Sequence, residues 1–118
     1  MESTRQVFWT AVAENDLKEI ISYISIRNPY NAQKILKKIK LKASNPYTYP
    51  EKGRIVPELQ EQGISQYREL IISPWRLIYR IAEKEAYVLS LLDSHQNVED
   101  ILLKRLVHKK DLEQMHKL

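Results

Sequence analysis

Three β-type segments follow one another closely in the second half of the chain, and this run limits the possible folds more than any other feature. Residues 66–72, 75–82 and 86–92 are rich in apolar residues that alternate with polar ones. Ser73-Pro74 separates the first two, and a turn around Glu83-Lys84-Glu85 separates the last two. Strands joined by such short turns pair as antiparallel neighbours. The segment therefore predicts a meander of three antiparallel strands.

The first half of the chain predicts one short strand and two consecutive helices. Residues 5–10 alternate, and Thr10 can cap a helix that ends near Arg27. Asn28-Pro29 predicts a second helix, with proline in its first turn, that ends at Asn45-Pro46. Each helix has one apolar stripe, formed in the first by Leu17, Ile20, Ile21 and Ile24 and in the second by Ala32, Ile35, Leu36, Ile39 and Ala43.

The segments that flank the meander are less regular. Residues 46–53 contain two prolines and a glycine, which is typical of a loop. We expect a short edge strand over 54–59, because Pro57 fits an edge better than the centre of a sheet. After the meander, Asn97 can cap a last helix that reaches Leu106 or beyond, and residues 107–118 form a polar, helical tail.

The resulting element order, β-α-α-β-β-β-β-α, predicts an α+β domain. Two helices pack on one face of an antiparallel sheet of four to five strands, and a C-terminal helix follows. The other sheet face is then partly open to solvent or to a partner. A length of 118 residues fits one domain, so we assign residues 1–118 to a single unit.

The composition excludes several classes of protein. The chain has no cysteine, which rules out disulfides and thiolate metal sites. No apolar run is long enough to span a bilayer and no signal peptide is evident, so we predict a cytosolic protein that does not bind membranes. The sequence has neither a metal-binding spacing of His, Asp and Glu nor a glycine-rich phosphate loop. We therefore expect no metal and no cofactor.

Positive charge is concentrated in two parts of the chain, which has a net charge of +4. Residues 31–54 carry seven Lys and Arg against one Glu, and residues 101–118 carry five against two Asp and Glu. Such a surplus can attract RNA, DNA or an acidic protein segment. The alternative is a lysine-rich helix face that is simply solvated, and charge alone favours this second interpretation.

The strand at 75–82 predicts where an anion could bind. Its alternation places Trp75, Leu77, Tyr79 and Ile81 on the face that meets the helices. Arg76 and Arg80 then share the solvent-facing side, where side-by-side guanidinium groups would suit a phosphate. Arg68 joins that surface if the register allows it. The alternative is that these arginines pair with Glu58, Glu69 or acids of a binding partner.

His95 follows the last strand of the meander, a position where functional groups are often held on a rigid frame. Its ordinary pKa permits proton transfer near neutral pH. If the strand ran on unbroken, His95 would point with Leu89 and Leu91, so a bulge or turn at Asp93-Ser94 is needed to bring it to the polar face. We find no convincing pair of nucleophile and base.

Taken in order, these motifs resemble the RelE/ParE superfamily of bacterial toxins over nearly the whole chain, to about Leu106. The resemblance rests on Gly53-Arg-Ile-Val-Pro-Glu-Leu59, Tyr67-Arg-Glu-Leu70, Trp75-Arg-Leu-Ile-Tyr-Arg-Ile81 and Val88-Leu-Ser-Leu-Leu-Asp93. Phe8-Trp9-Thr10, the helix start at 13–17 and the Asn28-Pro29 break also fit. The resemblance implies a toxin of a type II toxin-antitoxin system, silenced by a cognate antitoxin that is encoded beside it.

The resemblance implies two alternative mechanisms, of which we predict the first. In the first, the toxin is a metal-independent endoribonuclease, an mRNA interferase that cleaves mRNA on the ribosome, with Glu58, Arg76 and His95 as catalytic residues. In the second, it is a ParE-like poison of DNA gyrase without catalytic activity of its own. A third possibility is a degenerate member that binds the antitoxin alone. Residues expected to bind RNA or another target are Arg54, Arg68, Arg80, Lys37 and Lys38.

Overall fold

A computed structural model describes residues 6–44 and 53–107 of the chain. Along the chain its elements are β1 (Gln6–Trp9), α1 (Ala11–Arg27), α2 (Pro29–Ser44), β2 (Arg54–Ile55), α3 (Pro57–Gln60), β3 (Arg68–Ile72), β4 (Trp75–Ala82), β5 (Glu85–Asp93) and α4 (Val98–Val107). The fold is α+β, as the sequence predicts. Most of the expected loop at 46–53 and all of the tail beyond Val107 lie outside the described residues.

Three side chains cap the helices where the sequence predicts caps. The Thr10 hydroxyl accepts a hydrogen bond from the backbone N–H of Ala13 at the start of α1. The Asn28 side chain accepts from the N–H of Asn31, with Pro29 as the first residue of α2. The Asn97 side chain accepts from the N–H of Asp100 in α4. Each bond satisfies a donor that the first helical turn leaves without a partner.

The sheet has five strands in the order β1-β5-β4-β3-β2. The last four strands in sequence are antiparallel neighbours, as expected. The exception is β1, which pairs parallel with β5, so that Trp9 lies opposite Val88 and the sheet is mixed. The α1–α2 hairpin carries the chain from β1, at one edge of the sheet beside β5, to β2 at the other edge.

The expected edge strand over 54–59 is wrong in its second half. Only Arg54 and Ile55 are in β2, which does lie at the edge of the sheet. Pro57 then begins the four-residue helix α3. Proline lacks an N–H to donate to a ladder, and its fixed φ suits the first position of a helix. The same residue that indicated an edge therefore ends the strand.

Two apolar cores lie on opposite faces of the sheet. The first, between the sheet and the α1–α2 hairpin, contains the predicted β4 residues Trp75, Leu77, Tyr79 and Ile81 together with stripe residues of both helices. The second is formed under α3 and α4 by Val56, Leu59, Tyr67, Ile78, Leu89, Leu92, Val98 and Leu102. The second face is thus partly covered by the chain itself. This covering buries Arg76, which we expected to face solvent.

A close approach between Gly53 and Tyr79 gives the fold a position that only glycine fits. A Cβ atom added at Gly53 would collide with the Tyr79 Oη atom, and both residues are buried. To accommodate the extra methyl group, either the backbone or the tyrosine must move.

We expect Gly53→Ala to lower the free energy of unfolding by about 1–3 kcal/mol, the usual cost of overpacking. Chemical denaturation measures the loss. Gly63→Asn is the control, since Gly63 has a φ of 80° and open space around it, and Asn tolerates that conformation at a cost of at most about 1 kcal/mol. Equal losses in the two variants would contradict the contact.

Candidate functional site

The candidate site is centred on Arg76, near the start of β4. Alternation along β4 places Arg76 on the face opposite Trp75 and Leu77, over the second core. Its residue exposure is 7%, which is low for an arginine. A buried guanidinium needs partners for its donors, and these partners come from two other elements.

Two glutamates surround the Arg76 guanidinium. Glu58 of α3 accepts two hydrogen bonds, from Nη1 at 2.8 Å and from Nη2 at 2.7 Å, in a bidentate arrangement. Glu69 of β3 accepts from Nε at 2.6 Å. Each of the three guanidinium nitrogens therefore donates a hydrogen bond to one of these two carboxylates. For Arg76 this confirms the alternative considered from the sequence, in which it pairs with Glu58 and Glu69.

The Glu69 side chain is fully buried and bridges two arginines. Its second carboxylate oxygen accepts a hydrogen bond from Nε of Arg54 in β2, whose side chain is largely exposed. The Arg54–Glu69–Arg76–Glu58 network has two positive and two negative charges, so it carries no net charge. It links β2, α3, β3 and β4, and it holds the short helix α3 against the sheet.

Within this network the pKa of Glu58 is lowered from its ordinary value, chiefly by the hydrogen bonds from Arg76, while burial opposes the shift. The pKa of Arg76 is raised further above its already high value, mainly by Glu58. Both groups are therefore charged at neutral pH, and the bidentate pair is intact there.

The lowered pKa of Glu58 predicts a specific loss of stability in acid. The unfolded chain protonates this carboxyl near the ordinary pKa of a glutamate, while the folded chain does so only at lower pH. The stabilisation by Glu58 is therefore complete above the unfolded pKa and is lost as the pH falls through the folded value. We expect the difference in unfolding free energy between wild type and Glu58→Gln to shrink as the pH falls below that ordinary pKa.

Urea denaturation at a series of pH values measures this difference. Glu61→Gln, the same chemical change at an exposed position just after α3, is the control. A constant difference between wild type and Glu58→Gln across the acid range would show that the ion pair contributes nothing to the pH dependence.

The other two sheet arginines do not join Arg76 in a clamp. Arg80 is on the same face of β4, but Ile78 of the second core lies between them. Four residues of strand separate the two by about 13 Å, too far for adjacent guanidinium groups on one phosphate. Arg68 is on the opposite face, since it pairs in register with Tyr79 and its Nη1 donates to the Gly53 carbonyl at 3.0 Å.

The two lysines expected to bind a target are exposed on α2. That helix packs on the first core, so Lys37 and Lys38 lie on the other side of the sheet from Arg76. The predicted target-binding residues are thus divided between two surfaces.

His95 lies in the turn after β5, with 84% of its side chain exposed. Its Nδ1 atom is 2.8 Å from Oδ1 of Asp93, and its backbone N–H donates to the same oxygen. These bonds lower the pKa of Asp93. In the described part of the chain, no hydrogen bond or ion pair joins His95 to Glu58 or Arg76. The structure therefore brings two of the three predicted catalytic residues together and leaves the third apart.

A second polar cluster, which the sequence did not indicate, lies at the edge of β5 that does not pair with β4. Asp16 of α1 accepts from the backbone N–H of Leu91 at 2.9 Å and from Arg105 of α4 at 2.8 and 3.0 Å. Arg105 also donates to the hydroxyl of Ser90 at 2.8 Å. One signal was present: Asp16 stands four residues before Ile20, in line with the apolar stripe of α1.

Across residues 6–44 and 53–107, no cluster of His, Asp and Glu has the geometry to hold a metal ion. In the same residues, no helix is long and apolar enough to cross a bilayer.

The fold is that of RelE/ParE-like α+β proteins, and comparisons with known proteins agree. The family model of the ParE toxin of type II toxin-antitoxin systems, parDE, matches residues 7–98. The toxin RelE2 of Caulobacter vibrioides is 31% identical over 87 residues, which cover 73% of this chain and 91% of that protein. A structure of the chromosomal ParDE system from P. aeruginosa matches with a TM-score of 0.62 and 20% identity, over 76% of this chain and 96% of that chain.

The chain thus belongs to the ParE toxin family of type II toxin-antitoxin systems, within the RelE/ParE superfamily. Its function is that of a toxin in such a system, and the family implies an antitoxin partner.

Proposed function

We propose that this toxin arrests growth by binding its target, without cleaving RNA, and that the target is DNA gyrase, as the resemblance to ParE implies. The observation that carries this proposal is the state of Arg76. Its three nitrogens each donate to Glu58 or Glu69, and its side chain is only 9% exposed, so the guanidinium is turned toward these carboxylates and away from a scissile phosphate.

An RNA-cleaving site would require a different arrangement. Arginine stabilises the transition state when its donors point at the position where charge develops. Releasing Arg76 for that role means breaking a bidentate, charge-assisted pair. His95 would also have to approach a residue with which it makes no contact. These two requirements favour a toxin that acts by binding its target over one that cleaves RNA.

The cations that remain accessible are the candidates for target contact. Arg80 is partly exposed on the second face, and no described residue forms an ion pair with it. Arg54 uses Nε for Glu69, and 64% of its side chain remains exposed. Lys37 and Lys38 provide positive charge on the opposite side. Exposed cations of this kind steer association with an acidic target.

The experiment compares growth arrest by wild type, His95→Ala and Arg80→Glu, together with gyrase supercoiling by the purified proteins. We expect His95→Ala to arrest growth like wild type, because His95 is exposed and, among the described residues, is bonded only to Asp93. Arg80→Glu should weaken the arrest and the inhibition of gyrase together. Arg27→Glu, at an exposed cation on α1, is the control for the charge change.

Co-expression of the protein encoded beside this chain should restore growth. Loss of arrest in His95→Ala, with the soluble protein folded as in wild type, would contradict the proposal. Full growth arrest by a toxin that leaves gyrase supercoiling unchanged would show that the toxin has another target.

One observation favours the second candidate, cleavage of mRNA. With Nδ1 bonded to Asp93, the imidazole of His95 presents Nε2 to solvent. A carboxylate in this position fixes the orientation of a histidine that exchanges protons with a substrate. If the toxin cleaves mRNA, His95→Ala should no longer arrest growth. The same experiment therefore distinguishes the two candidate functions.

A further inference from the structure

Helix α2 presents a row of cations to solvent. Its buried residues Ile39 and Ala43 belong to the first core, so the opposite side of the helix faces away from the sheet. Lys34, Lys37 and Lys38 are exposed on that side. Lys37 and Lys38 follow Lys34 by about one helical turn, which makes the three side chains neighbours. These three residues are called the α2 lysine face below.

The positive charge of α2 is not balanced by acids. The helix has five lysines and no Asp, Glu or Arg. Across residues 6–44 and 53–107, no carboxylate forms an ion pair with the α2 lysine face. Helix α4 has the more common arrangement, in which Lys104 pairs with Asp100 one turn earlier at 3.4 Å. Lysines one turn apart repel each other and weaken a helix. An anionic partner would remove this repulsion.

The residue type favours a nucleic acid over an acidic protein as that partner. Protein interfaces are enriched in arginine and depleted in lysine. Lysine is a mobile point charge, which suits contact with phosphates in any register. The α2 lysine face contains lysine alone, so it matches a phosphate backbone better than a protein surface.

The same face favours a duplex over a single strand. Proteins that bind single strands usually stack the bases on aromatic rings. Helix α2 has one aromatic residue, Tyr30, and Nζ of Lys34 lies 5.6 Å from the centre of its ring. A row of cations with no free stacking ring can contact only the backbone, and the backbone of a duplex has the higher charge density.

We propose that the α2 lysine face binds the phosphate backbone of duplex DNA without reading its sequence. This role rests on the proposed function, because gyrase acts on duplex DNA and a toxin bound to gyrase lies beside that DNA. Arg80 is on the second face of the sheet, whereas α2 packs on the first. The toxin therefore has separate surfaces for contact with gyrase and with DNA.

The first test measures binding of the full chain to a labelled DNA duplex of mixed sequence, by fluorescence anisotropy at several salt concentrations. We expect a dissociation constant of about 1–100 μM near physiological salt, which is typical of sequence-independent binding. Lys37→Gln with Lys38→Gln should weaken binding about tenfold at low salt. It should also make the slope of log affinity against log salt shallower by about 2. Glutamine has nearly the helix propensity of lysine, so α2 is kept.

Lys84→Gln with Lys104→Gln is the control, since it removes the same charge from exposed positions outside α2. Its effect should be about twofold or less, because salt screens distant charges. Single-stranded DNA should bind more weakly than the duplex. No binding of the DNA duplex, or equal losses in the two double variants, would overturn the proposal. Tighter binding of duplex RNA or of polyglutamate than of duplex DNA would also overturn it, and would assign the face to RNA or to an acidic protein.

The second test distinguishes failure of the DNA contact from failure of the proposed function. It compares the affinity of the toxin for gyrase alone and for gyrase bound to DNA. We expect wild type and the Lys84/Lys104 control to bind the DNA complex about tenfold more tightly than gyrase alone, because the second contact is then intramolecular. Lys37→Gln with Lys38→Gln should bind the two forms equally.

Equal affinity of the wild-type chain for gyrase alone and for gyrase bound to DNA would contradict the DNA contact and leave the proposed function standing. Duplex binding that depends on Lys37 and Lys38, together with no binding of gyrase in either form, would contradict the proposed function and support the DNA contact.

Discussion

Replacement of Arg76 by alanine should lower the free energy of unfolding by about 3–5 kcal/mol, the cost of removing one partner from a buried ion pair. Glu58 loses its bidentate partner, and the fully buried Glu69 keeps only the exposed Arg54. A cavity replaces the guanidinium between α3 and the sheet. Chemical denaturation of the purified protein near neutral pH measures this loss.

Arg80→Ala is the matched control, because Arg80 is on the same strand and face and no described residue forms an ion pair with it. Its effect should be at most about 1 kcal/mol. The double variant Arg76→Met with Glu69→Met should lose less than Arg76→Ala alone, since it leaves no buried charge without a partner. A loss in Arg76→Ala no larger than that in Arg80→Ala would show that the guanidinium is solvated, contrary to the geometry.

Leu77→Ala should cost about 2–5 kcal/mol, the range for truncating a buried leucine. Leu77 is fully buried in β4, in the first core with Leu17 and Tyr79. Neighbouring strands on both sides hold the backbone there, so the cavity cannot readily collapse. If the variant has the same m-value, the denaturant dependence of its unfolding free energy, as wild type, the difference between the two denaturation midpoints measures the loss of stability.

Ile71→Ala provides the comparison for Leu77→Ala. Ile71 is also an apolar residue of the sheet, but it is half-exposed on β3. Its truncation should change the free energy of unfolding by about 0.5 kcal/mol or less. Similar losses at the two positions would contradict the packing of β4 against the helices.

Features fixed by neighbouring residues could be predicted from the sequence. The caps at Thr10, Asn28 and Asn97 depend on a side chain and a backbone N–H three residues later. The alternation of β4 depends on the period of a strand, so Leu77 was assigned to the correct face. The meander followed from short turns, which leave antiparallel pairing as the simplest geometry.

Features fixed by distant residues could not be predicted in this way. The parallel pairing of Trp9 with Val88 joins residues far apart in sequence, and neither segment encodes its direction. The extra residue in β5, Leu89, shifts the register where Ile78 faces Ser90 and Tyr79 faces Val88. As a result Leu89 and Leu91 lie in different cores, whereas simple alternation places them together.

The sequence predicted which residues form the candidate site, but not which of them are buried or on which face of the sheet they lie. Glu58 and Arg76 were identified by resemblance, and they do lie in contact. Their burial depended on α3 and α4 covering the second face, which no local pattern of the sequence indicated. The side of the sheet on which Arg68 lies depended on its register against Tyr79. The catalytic and target-binding roles assigned to these residues stay predictions.

The most direct test of a binding toxin without catalytic activity is a map of transcript 5′ ends in cells that express the wild-type chain and in cells that express His95→Ala. If the account is right, growth stops in both cultures and transcripts stay intact in both. Discrete cuts within messages of the wild-type culture, absent when His95 is replaced by alanine, would contradict it and identify the chain as a ribonuclease.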